Sequence, residues 1–227
     1  MQTDIVRNDE VRESSAMLLP EPLRRPAVAL LLICVGTTMA LGGRYAGESE
    51  ARWFDAAVGA RVRAALGGHT WLQDLIWLGH PVVVAIMTAM LCLYCLHQRR
   101  WRALVMVVLA VGSACIATEL VLKPFFHRTF FGGLAFPSGH ATGAFVIAAV
   151  IAVLLVNPPR PRIRADVRAL LGFSALATAG VVCIAVLAAN NHYATDLVGG
   201  AAVATAAALG AGLVVDGLAA RLSGIRP

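Results

Sequence analysis

Six stretches of the chain are apolar over about the 20 residues that a membrane-spanning helix needs. They cover positions 26–43, 81–97, 103–122, 138–156, 169–189 and 193–215, the second beginning as early as Leu72. Between the first two, positions 51–68 follow a different pattern. Trp53, Phe54, Ala57, Val58, Val62 and Leu66 recur at helical spacing, while Arg52, Asp55, Arg61 and Arg63 take other faces. That pattern predicts an amphipathic helix in the membrane interface, either a plain connector or a cap over a site below it. The expected architecture is all-α: a six-transmembrane-helix bundle with an interfacial helix between the first two spans. A polar tail (1–25) precedes the membrane domain (26–217), and a short tail (218–227) follows it. The fifth and sixth spans are rich in Gly and Ala, which permits close helix packing.

Composition points the same way. The 227 residues are 59% hydrophobic and 14% charged, against about 25% charged in soluble domains, and the mean hydropathy is +0.74. The net charge of +6 comes from basic residues scattered singly or in short clusters, so it describes loop bias and argues against a nucleic-acid partner. All five cysteines lie in apolar stretches. Cys92 and Cys95 have CxxC spacing but lack the second pair or the histidines of a zinc site. Neither a disulfide nor a metal is expected. The first apolar run follows Arg24-Arg25 and exceeds the ~7–15 residues of a cleavable signal core, so it reads as a retained anchor.

Basic residues also set the expected orientation. With the N-terminus cytoplasmic, the inner segments hold Arg7, Arg12, Arg24, Arg25, Arg99, Arg100, Arg102, Arg160, Arg162, Arg164, Arg168, Arg221 and Arg226, thirteen of the nineteen Lys and Arg. Both termini are then inside, and the three most polar stretches at span ends all meet at the outer face of what reads as a cell membrane.

These stretches carry the candidate chemistry. His192 and Asp196 stand four apart, on one helical face. The carboxylate can fix the imidazole tautomer, leaving the other nitrogen free to attack; the bland alternative is a pair tying two helix ends together. Ser138, after Pro137, suits an N-cap, and the open amides and dipole behind it attract an anion. Gly139 lets backbone approach that anion, and His140 in the first turn can donate a proton; ordinary capping beside an exposed histidine is the alternative. Lys123 is the only lysine, near Arg128 at the end of the third span. Such charges often merely snorkel, but Glu119 lies four residues earlier within an apolar span, where a buried carboxylate requires a partner. Glu119 is expected to orient Lys123. Five of the eight phenylalanines (Phe125, Phe126, Phe130, Phe131, Phe136) surround the basic pair, either as a rim for a lipid tail or as an ordinary interfacial belt.

Lys123 to Arg128, Pro137-Ser138-Gly139-His140 and His192-x3-Asp196, in that order and at the ends of successive spans, resemble the type 2 phosphatidic acid phosphatase family, relatives of the vanadium haloperoxidases. The likeness covers roughly positions 103–215. It implies a six-helix, metal- and cofactor-free membrane phosphatase acting on a lipid phosphate or isoprenoid diphosphate. His192 would form a phosphohistidine, Asp196 would orient it, and His140 would protonate the leaving oxygen. Lys123, Arg128, Ser138 and Gly139 would hold phosphate oxygens. A phosphotransferase with the same covalent step, and a non-catalytic lipid-phosphate binder, remain alternatives. Two departures stand out. Phe130-Phe131 occupy the place of the first motif's arginine, with Arg128 two positions early. Ala185-Val186 stand where the third motif has Ser-Arg. Asn190, Asn191 or His127 are the candidates to supply the missing donors.

Overall fold

The computed structural model describes residues 17–158 and 163–222. Arg7, Arg12, Arg160, Arg162 and Arg226, on which part of the expected orientation rests, lie outside them, as does most of the polar N-terminal tail. The helices are α1 (Glu21–Arg44), α2 (Trp53–Leu66), α3 (Trp71–Trp77), α4 (Pro81–His97), α5 (Trp101–Ile116), α6 (Lys123–Phe126), α7 (Gly139–Val156), α8 (Ala165–Ala188) and α9 (Ala194–Leu222). A π-helical segment, Ala117–Leu122, joins α5 to α6, and Thr129–Phe130 pairs with Gly133–Leu134 in a small antiparallel hairpin.

Five of these runs are long and apolar enough to cross a membrane: α1, the continuous Trp101–Phe126, α7, α8 and α9. The pair α3 and α4, bent by 46° at its break, makes a sixth. The protein is a multi-pass helical membrane protein. The bend explains why the second span read as starting at either of two places. Pro81 opens α4 without an N–H to give the preceding turn, and His80 caps the new helix by accepting from the Val82 amide through Nδ1 at 3.3 Å. Helix α9 runs to Leu222, so the tail expected from position 218 begins as helix.

Helix α9 packs against α1, α5 and α7. Its contact face is mostly Ala and Gly, with Ala204 and Ala208 fully buried, which lets backbones approach closely. Thr118 and Thr142 join the third and fourth spans through their hydroxyls at 3.1 Å. At the end of the bundle away from the motifs, Arg100 donates to the Asn157 carbonyl at 2.7 Å. There too, Asp216 accepts the Leu18 and Leu19 amides at 2.9 and 2.8 Å.

Helix α2 departs from the expected pattern. Trp53 and Phe54 face outward, while Val58, Val62 and Leu66 pack on a cluster that includes Val182, Val186 and Leu187 of α8. Asp55, expected on a polar face, is 3% exposed. The inward stripe is set by the partners of Asp55 rather than by the aromatic pair, and α2 sits over the motif-bearing end.

Candidate active site

The three polar stretches come together at one end of the bundle. Helix α9 begins just after His192, whose Nδ1 lies 3.3 Å from Asp196 Oδ2. The same Oδ2 accepts the Tyr193 amide at 3.1 Å, and Oδ1 accepts Arg128 Nη1 at 2.7 Å. Three donors thus fix a fully buried carboxylate. With Nδ1–H turned to that carboxylate, Nε2 keeps its lone pair. The contact is long for a hydrogen bond, as such contacts often are before a substrate tightens them.

Ser138 caps α7, its Oγ accepting the Ala141 amide at 3.4 Å. Its own amide donates to the Asp196 carbonyl at 3.0 Å. One backbone bond therefore ties the start of the helix bearing His140 to the start of the helix that follows His192. The Gly139 and His140 amides stand in the open first turn. His140 lies within electrostatic reach of His192, His80, Lys123 and Glu119, at the same end of the bundle as His192.

Lys123 Nζ meets both Glu119 oxygens at 2.7 Å. The expected pairing is present with its burial reversed: the Glu119 side chain is 49% exposed and that of Lys123 15%. The carboxylate lies against the start of α7, where a Cβ on Gly139 would meet Oε1 at 2.6 Å. The open end of α7 faces this carboxylate rather than apolar side chains, and Glu119 needs no burial to find its partner.

Arg128 is placed differently from the expectation that it touches phosphate. It is fully buried. Nη1 binds Asp196 and, at 2.6 Å, Thr195 Oγ1, while Nη2 binds Asp55 Oδ2 at 2.7 Å. Its Cζ sits 4.4 and 4.2 Å from the Tyr45 and Tyr193 ring centroids, within cation–π range. Two carboxylates compensate its charge, which leaves no exposed face for a ligand. Asp55 also accepts the Thr195 amide at 2.9 Å, capping α9 from another helix. Burial pushes the Tyr193 phenol above its ordinary range, with Arg128 opposing, so it serves as a neutral donor to the Ser49 carbonyl at 2.9 Å.

Beside His192 is a cleft of about 280 Å³, lined by Asp55, Arg63, Phe130, Asn190 and Tyr193 among others. Arg63 Nη1 donates to Asn190 Oδ1 at 2.8 Å. Asn191 and His127 are exposed and line none of this cleft; of the three candidate extra donors, Asn190 is the one turned inward. Sequence reasoning missed Asp55 and Arg63. The available signal was their spacing with Gly59, at i, i+4 and i+8, which makes one helical stripe. Among the described residues no three His, Cys, Asp or Glu side chains converge as a metal-binding group.

The PAP2 superfamily model matches residues 123–217, the segment that holds all three motifs. This match supports assigning that segment to the PAP2 superfamily. No curated protein matches its sequence. Its fold is similar to the crystal structure of a transmembrane PAP2-type phosphatidylglycerolphosphate phosphatase from Bacillus subtilis. That match has 19% identity and a TM-score of 0.60, and covers 88% of this chain and 98% of the other. In this chain the third-motif arginine position, Val186, is fully buried in the cluster under α2. An arginine there would have to place its guanidinium inside that apolar cluster.

Proposed function

We propose that this protein is an integral-membrane phosphatase that removes phosphate from a lipid phosphate or polyprenyl diphosphate at the outer leaflet. The observation that carries the reading is the constellation of His192, backed by Asp196, beside His140 on the helix that Ser138 ties to Asp196. His192 Nε2 attacks phosphorus, and the bond from phosphorus to the lipid oxygen breaks as His140 gives that oxygen its proton. Asp196 stabilises the imidazolium character that develops on His192. Water then attacks the phosphohistidine, its proton passes to His140, the N–P bond breaks, and phosphate leaves. Lys123, the Ser138 hydroxyl and the Gly139 amide hold phosphate oxygens. Glu119 orients Lys123, and Arg128 orients Asp196 from behind.

The outer-face assignment is supported by Arg100, Arg102 and Arg168 at the opposite end of the bundle from His140 and His192. Exposed Phe125 and Phe131 at the motif end suit a substrate whose tail stays in lipid. Purified protein assayed on phosphatidate, phosphatidylglycerol phosphate and a polyprenyl diphosphate is expected to release phosphate from at least one. The wild-type protein quenched during turnover is expected to carry an acid-labile, alkali-stable phosphoryl group, and His140→Ala is expected to lose nearly all turnover. Phosphate release by His192→Ala at the wild-type rate would rule out the mechanism.

A further inference from the structure

Phosphate carries two negative charges, and the burial of Arg128 between Asp55 and Asp196 leaves its site short of a cation. Lys123 stays near His140, already paired with Glu119. Among the described residues, Arg63 is the cation that lines the cleft beside His192, a cleft that Lys123 and His140 do not line. Resting on the phosphatase reading, we propose that Arg63 is an oxyanion-binding residue of the His192 cleft, supplied from outside the three motifs by α2.

The guanidinium is held in place by two local features. Gly59, one turn earlier, leaves the space in which it lies: a Cβ there would meet Arg63 Nη1 at 2.8 Å. Asn190 ends α8 with φ 55°, a left-handed conformation that Asn tolerates better than most residues. That turn aims its side-chain oxygen at Arg63, 2.8 Å away, two residues before His192. One guanidinium edge is thus anchored to a neutral acceptor, so the positive charge is not cancelled. Four other N–H groups remain on the fork. Arg63 is half-buried, which keeps it in contact with the cleft. Asp55 lines the cleft too, but its Oδ2 is paired with Arg128, which it shares with Asp196, so that trio keeps one net negative charge; Glu50 stands exposed at the rim. The ligand class is a phosphate oxyanion, either the group transferred to His192 or the second phosphate of a diphosphate.

The test uses full-length wild-type, Arg63→Gln and Arg63→Lys proteins in detergent. Inorganic phosphate binding is measured by calorimetry, KM and kcat on a monophosphate and a diphosphate lipid by phosphate release, and Tm by thermal unfolding. Arg63→Gln is expected to weaken phosphate binding about tenfold or more with Tm nearly unchanged, and Arg63→Lys to recover part of that loss because it restores charge. A rise in KM on both lipids assigns Arg63 to the transferred phosphoryl group. A rise on the diphosphate alone assigns it to the second phosphate. Wild-type affinity in Arg63→Gln, equal losses in Gln and Lys variants, or no phosphate binding by the wild type would each overturn the proposal. Phosphate binding that depends on Arg63, without release from any lipid, would instead count against the phosphatase reading.

Discussion

Helix α9 carries a buried aspartate near each end, Asp196 and Asp216, and the two do different work. Asp216 accepts two backbone amides, Leu18 and Leu19, and so seats the chain segment that leads into α1. Asp196 also accepts a backbone amide, but its other contacts are a guanidinium and an imidazole. Similar burial on one helix thus yields a backbone anchor at one end and a carboxylate held against an imidazole and a guanidinium at the other. The distinction lies in what the rest of the fold presents to each carboxylate, a bend of backbone in one case and two ionisable side chains, an imidazole and a guanidinium, in the other.

The largest expected effect belongs to the group that Asp196 orients. His192→Ala should lower turnover by at least about 10⁴-fold in a phosphate-release assay, because no other group takes the nucleophile's place. Exchanging the two acids sharpens the contrast. Asp196→Asn should cost about 10²–10⁴-fold in kcat while the protein stays folded, since the amide can favour the wrong imidazole tautomer. Asp216→Asn should leave kcat within about twofold and lower stability by about 1–3 kcal/mol, the cost of weakening buried hydrogen bonds. A large kcat loss in Asp216→Asn would erase the comparison. Asp55→Ala should destabilise by about 1–3 kcal/mol, read by chemical or thermal unfolding, because it leaves the buried Thr195 amide without its acceptor while Asp196 still compensates Arg128. Glu119→Gln should give a smaller change, a few-fold loss in kcat/KM through a less well oriented Lys123; unchanged activity would remove Glu119 from the site. The smallest expected effect is that of EDTA, which should leave phosphate release unaltered.

What the sequence made legible was local. His192 and Asp196, Glu119 and Lys123, and Ser138 at the start of α7 all interact within four residues, so helical periodicity and capping rules reach them. The spans were equally readable, because length and apolarity define them. The partners of α2 were not. Arg128 meets Asp55 across 73 positions, Thr195 meets Asp55 across 140, and Arg63 meets Asn190 across 127. No spacing rule connects such residues. A fully buried arginine also runs against the general preference of that side chain for solvent, so proximity of Arg128 to the motif made it look like a ligand-binding group. At the turn before His192, Asn190 rather than Asn191 points inward, a choice made by the left-handed backbone at position 190 and not by residue type.

The attachment of α2 has a mechanical corollary. Asp55 near its start is fastened to Arg128 and Thr195, and Arg63 near its far end is fastened to Asn190. Raising this helix like a flap would break the buried Arg128–Asp55 ion pair and leave the Thr195 amide without its acceptor, a penalty that scales with buried ion-pair rupture. Traffic of substrate and product should therefore pass around a fixed roof, from the lipid side, while the roof itself stays shut.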